Sequence, residues 1–331
     1  MASITMKFRR TRRLFVFVCM FFLTVLLKLY TVTILPPISS EQHIEEDLSE
    51  DGITAFFHKD LKHTNAFLIQ PKLNCNQQYP TNIVVTVISK AANFIERETI
   101  RRTWGSVDMQ NRYNFSLYFI LGTEENVNND MEGFLNGDIV QADIKESFYH
   151  LTEKTIAAFK WVTLFCHKAK FFFKTDDDVF FDLEFLKEIQ NNEISLNDDV
   201  VIGDCVFNGL PEREGRPKYE LSSFDYPFRN FPPYCGGPGY MLTVITAQKL
   251  YNKMLVTRSI KFEDVYVGIV AYRLGLSLKH VKYFVHYMEE EKEKQLFYVT
   301  CSRVTHRLEP DHIQRLWDNL GTVRRNREDC I

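Results

Sequence analysis

Asn82–Ser89 (NIVVTVIS) is short, β-branched and free of polar alternation, which is how a strand covered on both faces reads. Ala91–Trp104 then reads as a helix stopped by Gly105. Leu117–Leu121 (LYFIL) is a second strand ending at Gly122, and Ile139–Ala142 a third. Leu151, Thr155, Ala158, Phe159, Val162 and Phe165 recur at helical spacing, and the apolar run Phe171–Phe173 follows as a further strand. Strands alternating with helices predict an α/β fold: a mostly parallel sheet with helices on both faces. The roughly 250 residues beyond position 80 suit one large domain or two fused halves.

Asp176, Asp177 and Asp178 stand at the carboxyl end of the Phe171–Phe173 strand, where open α/β sheets bind ligands. Adjacent like charges are costly unless a cation offsets them. Hard oxygen ligands favour Mg²⁺ or Mn²⁺, ions that bind carboxylates together with substrate phosphates. A solvated acidic turn is the competing explanation. Lys174, just before the triplet, is placed to offset part of its charge.

Further along, Tyr226–Phe228 and Phe231–Tyr240 read as a loop dense in rings, prolines and glycines. The amides exposed at Gly236 and Gly237 would suit hydrogen bonding to a sugar or nucleotide, whereas the rings individually suit the core. A helix is expected near Ala247–Leu255, and another starts at Glu263-Asp264 and stops at Gly275. A capped helix needs only one acid there, so the pair points to chemistry. Arg97 and Arg101, four apart on one helix face beside the first strand's exit, are candidates for uracil or diphosphate contact, and Ser89 is another of the same kind. For the arginines the alternative is ion pairing or exposure. Trp104 reads as core.

The first residues carry Lys7, Arg9, Arg10, Arg12 and Arg13, and Leu14–Leu35 is a run broken only by Lys28 and a few threonines. That length suits a membrane helix of ~20 residues. Basic residues before it and Glu41, Glu45, Glu46 and Asp47 after it orient the amino terminus to the cytosol. A cleaved signal peptide would have a shorter apolar core and a small-x-small site, and Pro36-Pro37 ends this run instead. The expected layout is a cytoplasmic tail over 1–13, a signal-anchor over 14–35, a lumenal stem over 36–80 and a catalytic domain over 81–331. Of seven cysteines, Cys19 falls in the anchor; the other six suit an oxidising lumen and up to three disulfides of undetermined pairing. Asn114-Phe115-Ser116 is the only N-glycosylation acceptor, and a net charge of −3 gives no reason to propose a nucleic-acid partner.

Taken in order, Arg97–Gly105 (RETIRRTWG), Phe119–Gly122, Asp176–Phe180 (DDDVF), the Tyr234–Tyr240 glycine segment and Glu263–Gly268 (EDVYVG) resemble the β1,3-galactosyltransferase and β1,3-N-acetylglucosaminyltransferase family. The similarity spans about Asn82 to Cys330. Asp225–Phe228, Pro232–Tyr234 and Asp264–Ala271 look most like the brainiac-type glycolipid enzymes, while Cys235–Tyr240 looks more like the galactosyltransferase pattern. The resemblance implies a GT-A fold with a Rossmann-like nucleotide half and a mixed central sheet, a UDP-sugar donor, Mn²⁺, inversion at the anomeric carbon, and a Golgi membrane address. It also implies that Asp178 and His306 bind the metal. Asp176 would face the metal or the ribose, with Asp177 alongside. Inversion needs a general base near the acceptor hydroxyl. Asp264 is the first choice, kept ionised by the helix amino terminus. Glu263 is the second candidate, or else holds the acceptor. His280 and His286 read as structural.

The expected function is therefore transfer of galactose, N-acetylglucosamine or N-acetylgalactosamine to a glycolipid or glycoprotein glycan in β1,3 linkage. A membrane-tethered lectin that had lost catalysis predicts a broken metal or base motif, and both are intact. A two-metal phosphohydrolase would need more dispersed ligands.

Overall fold

The computed structural model describes residues 50–59, 66–73, 75–76, 81–191, 197, 199–287 and 302–319. The expected tail and anchor lie outside them, as do Cys301 and Cys330. Among the described residues no helix is long and apolar enough to cross a membrane.

The NIVVTVI run forms β2 (Ile83–Ile88), buried along its whole length. It is flanked in parallel by β3 (Phe115–Thr123) and β5 (Phe171–Asp176). Side chains alternate between faces. Val84, Ile88, Ile120 and Phe172 pack with Ala158, Trp161 and Val162 of α5 (Leu151–Phe165). Val85, Val87, Phe119 and Phe173 pack on the other face with Ile100 of α2 (Phe94–Arg102) and with Trp104. A sheet covered on both sides needs unbroken apolar strands, which is why these runs were legible.

Five more strands complete this sheet: β1 (Phe67–Ile69), β4 (Ile139–Lys145), β7 (Val200–Val206), β8 (Tyr234–Thr243) and β9 (Ser277–His280). The order is β1-β4-β3-β2-β5-β8-β7-β9. β8 runs antiparallel to both β5 and β7, and β1 antiparallel to β4, so the sheet is mixed. A second, three-stranded sheet has β11 (Val304–His306) between β10 (Val285–Tyr287) and β6 (Val179–Phe181).

Two expectations are corrected here. The glycine- and proline-rich Tyr234–Tyr240 segment is a central strand. Its breakers are tolerated because the β7–β8 ladder is interrupted there: Gly203 pairs with Tyr240 while Cys205 pairs with Cys235, leaving Gly236–Gly239 in a bulge. The Cys205–Cys235 disulfide closes that bulge. Tyr226, Phe228 and Phe231 are buried, as their core assignment expected. Secondly, the expected stem contributes to the domain. Ile53 and Phe57, in and just after α1 (Glu50–Phe56), are fully buried, β1 joins the sheet edge, and Cys75 is bonded to Cys166. The pairing left open by the sequence is thus Cys75–Cys166 and Cys205–Cys235 among the described cysteines.

Candidate active site

β5 ends at Asp176, paired with the last residue of β2, Ile88. The chain turns at once into β6, which is pinned from the other side by the Trp104 Nε1 hydrogen bond to the Val179 carbonyl at 2.9 Å. β11 pairs antiparallel with β6 and sets His306 opposite Val179. A further hydrogen bond from the Leu308 amide to the Asp178 carbonyl locks the register at 3.0 Å. Thus the small sheet carries a histidine from the far end of the chain to the acidic triplet.

Asp176, Asp178 and His306 each offer one ligand atom, all within 4.8 Å of one another. His306 Nε2 approaches Asp178 Oδ1 to 3.1 Å. That oxygen is buried, yet it accepts no hydrogen bond, and His306 Nδ1 is likewise buried without one. Orphaned buried polar atoms are rare unless a ligand completes them. Two carboxylate oxygens and an imidazole nitrogen form a donor set that fits a divalent cation such as Mn²⁺. The triplet's remaining acid is held elsewhere: Asp177 Oδ2 accepts from Asn93 Nδ2 at 2.9 Å. Burial pushes the Asp177 pKa up to about 6, with Asp178 and Asp176 adding to the rise and Ser89 and Asn93 opposing it.

Lys174 does offset the triplet, and more. Its fully buried Nζ donates to Asp176 Oδ1 at 2.8 Å, to Glu263 Oε1 at 2.8 Å and to the Gly237 carbonyl at 2.7 Å. Burial alone would lower its pKa; Asp176 and Glu263 outweigh that and raise it. Glu263 opens α8 (Glu263–Tyr272) and also accepts from Thr155 Oγ1 at 3.2 Å. Burial pushes its pKa up to about 7 against the pull of Lys174, with Asp264 and Asp176 adding to the rise.

Burial raises the Asp264 pKa, although the Val265 amide (2.8 Å), Lys174 and the Gly237 amide all oppose the shift. A raised pKa makes this carboxylate a stronger base than an ordinary aspartate. Tyr234 and Tyr287 stand within its electrostatic reach, and burial pushes both phenols up to about 12. The Tyr287 ring meets the His306 ring edge-on at 5.4 Å, a contact that no periodicity in the chain signals.

Several donor-site candidates take other roles. All five N–H groups of fully buried Arg97 are engaged, by both Glu132 oxygens, Ser89 Oγ and the Lys90 and Ala91 carbonyls. Arg101 pairs with Asp138 and Glu132 at 2.8–2.9 Å. The shared helix face is real, but it points at Glu132 and Asp138, so Arg97 has no N–H left for a diphosphate and Arg101 commits Nε and Nη2 to acids. Ser89 is buried and accepts from Arg97. Gly236 and Gly237 are interior. A Cβ on Gly237 would lie 2.5 Å from Glu263 Oε1, and one on Gly236 would lie 3.2 Å from the Tyr287 hydroxyl. Glycine at 237 allows this close packing against the Glu263 carboxylate, and the Gly237 carbonyl already accepts from Lys174. His280 is structural, its Nδ1 accepting from the Cys205 amide at 3.2 Å. Asn114 is exposed at a left-handed turn with φ 53°.

Sequence reasoning missed Asn93, Glu132 and the Glu146–Lys154 pair. Lys154 did leave a signal: it is three residues from Leu151 and four from Ala158, so it interrupts an apolar helical stripe.

An open mixed sheet thus carries, at its strand ends, a two-carboxylate, one-histidine cluster that could hold a metal ion, beside buried Glu263 and partly buried Asp264. Residues 95–282 match the family model described as galactosyltransferase. Beta-1,3-galactosyltransferase 5 of Homo sapiens is 34% identical over 66% of this chain and 72% of that protein. Beta-1,3-galactosyltransferase 1 of Mus musculus is 30% identical over 78% and 80%. Among solved structures, the WbbM bifunctional glycosyltransferase aligns at a TM-score of 0.41 and 8% identity, covering 76% of this chain and 52% of that one. The chain belongs to the galactosyltransferase family.

Proposed function

We propose that this chain is a β1,3-glycosyltransferase that moves a sugar, galactose first among the candidates, from a UDP-sugar to a glycan hydroxyl with inversion. Family membership supports the transfer and the linkage. The observation that carries the chemistry is the joining of Asp176, Asp178 and His306 beside Glu263 and Asp264 by one lysine. In a GT-A arrangement Asp176, Asp178 and His306 would hold Mn²⁺. When bound, the ion supplies Lewis-acid stabilisation of the charge developing on the leaving diphosphate.

The chain's own residues do the rest. Asp264, its pKa raised by burial, accepts the proton of the attacking hydroxyl. Lys174 pairs with Glu263 next to it, so that a cation offsets the charge of one of the two adjacent acids. Tyr234 and Tyr287, within electrostatic reach of Asp264, are placed to flank the acceptor.

The acceptor is a glycolipid oligosaccharide, with glycoprotein glycans second. The basic tail and the apolar run Leu14–Leu35 support a single-pass type II Golgi protein with a lumenal catalytic domain. Exposure of Asn114 supports glycosylation there.

The test is UDP release by the detergent-solubilised chain with Mn²⁺ and UDP-galactose, UDP-N-acetylglucosamine or UDP-N-acetylgalactosamine, with and without glycan acceptors. Acceptor-dependent release with at least one donor is expected. Asp264→Asn should keep UDP binding and lose about 10²–10⁴-fold in turnover. No release with any donor would refute the proposal.

A further inference from the structure

The turn leaving β2 is held by more buried charge than the proposed chemistry uses. Lys154, buried on α5, donates to the Ser89 carbonyl at 2.6 Å and to both Glu146 oxygens at 2.9 and 3.0 Å. Glu146 Oε1 also accepts from the Ala91 amide at 3.1 Å and the Gly122 amide at 2.7 Å. One ion pair therefore ties the ends of β2, β3 and β4 to a helix. Gly122 has to be glycine for this, since a Cβ there would sit 2.4 Å from the Ile144 carbonyl and 3.0 Å from Glu146 Oε1. Arg97 grips the other side of the same turn through the Lys90 and Ala91 carbonyls, and Asn129 Nδ2 adds a second bond to Ala91 O at 3.0 Å. Just beyond the turn stands Asn93, the donor to Asp177.

A buried ion pair is weak evidence for stability, because apolar residues of the same volume often do as well. What an apolar pair could not do here is bind three backbone polar groups at the carboxyl ends of neighbouring parallel strands, the edge where open α/β sheets bind ligands. Lys154 is also close enough to feel the charges of Asp177 and Asp176.

We propose that Glu146 and Lys154 are a positioning pair for the donor nucleotide: they fix the Ser89–Ala91 turn so that Asn93 holds Asp177 and the triplet keeps its shape around the diphosphate. Neither residue touches the reacting atoms. The assignment rests on the donor reading above.

The experiment compares Lys154→Met, Glu146→Gln and Asn93→Ala with the wild-type full chain in detergent with Mn²⁺, using the donor that the panel identifies. Donor KM and kcat are measured at saturating acceptor, and the dissociation constant of UDP by calorimetry. Donor KM and the UDP dissociation constant should each rise about tenfold, with kcat within about threefold, because ground-state and transition-state binding are lost together. Lys154→Met combined with Asn93→Ala should be no worse than about twice the larger single effect, since both act along one chain of contacts. A purely structural role would lower yield and melting temperature and leave these constants unchanged in the folded fraction. Asn93→Ala leaves the buried Lys154–Glu146 pair intact, so it decides the matter even if Lys154→Met does not accumulate. UDP affinity and donor KM within twofold of wild type in Asn93→Ala overturn the proposal. A wild-type chain inert with every donor would instead defeat the functional reading itself.

Discussion

Lys174→Met would remove the single cation shared by the two acidic groups of the site. Methionine keeps most of the side chain's length and loses three donors, to Asp176 Oδ1, Glu263 Oε1 and the Gly237 carbonyl. Taking one partner from a buried ion pair costs about 3–5 kcal/mol when the other stays charged. The stranded Gly237 carbonyl adds about 1–3 kcal/mol. Glu263 can relieve part of this by taking up a proton. Its folded pKa of about 7 already exceeds the reference 4.5, so its contribution to folding weakens as pH rises from 4.5 towards 7 and then levels off. Lys174 is the group holding that value down. Without it the folded pKa climbs further, and the variant goes on losing stability above pH 7 at up to about 1.4 kcal/mol per unit. The expected loss is about 2–3 kcal/mol at pH 6 and about 4 kcal/mol at pH 8. At about 2–4 °C per kcal/mol, the melting temperature should fall by roughly 6 °C and roughly 12 °C. Thermal and urea unfolding of both proteins at the two pH values provide the assay. Equal losses at pH 6 and pH 8, or a loss below about 1 kcal/mol at either, would refute the claim that Lys174 neutralises Glu263.

His306→Ala should weaken Mn²⁺ binding by about tenfold or more, read by paramagnetic resonance of free Mn²⁺; unchanged affinity would remove His306 from the ligand set. Gly237→Ala places a Cβ 2.5 Å from Glu263 Oε1 and should displace that carboxylate from Lys174, costing about 1–3 kcal/mol; a wild-type urea midpoint would contradict the packing.

The strands around β2 were legible because burial on both faces demands unbroken apolar runs, a constraint that leaves its mark on every residue of the segment. The triplet and the Glu263-Asp264 pair were legible because charge at the end of such a run has no packing reason to be there. β8 was not, since its glycines and Pro238 carry loop propensity; a bulge between Gly203 and Cys205 and the Cys205–Cys235 bond make them acceptable in a strand. The arginines misled for a related reason. Helical spacing places Arg97 and Arg101 on one face, but what that face meets depends on Glu132 and Asp138, contributed by segments more than thirty residues away. His306 was found by motif resemblance, and its route to the triplet runs through the β6–β11 pairing, which no local pattern encodes.

The charges at the site explain why these parts belong together. Asp176, Asp177, Asp178, Glu263 and Asp264 converge near a single lysine that is not already neutralised by its own acid, since Lys154 is paired with Glu146. Burial cannot tolerate that excess, and two means of relief are visible. Asp177 and Glu263 move towards neutrality, their pKa values at about 6 and about 7, while Asp178 Oδ1 and His306 Nδ1 are buried without a hydrogen bond in the cluster that Asp176 completes. Protons thus relieve the acids that hydrogen bonds hold in place, and the remaining donors are grouped where a divalent cation would complete them. A solvated acidic turn would need neither device, because water would screen its carboxylates at their ordinary pKa values.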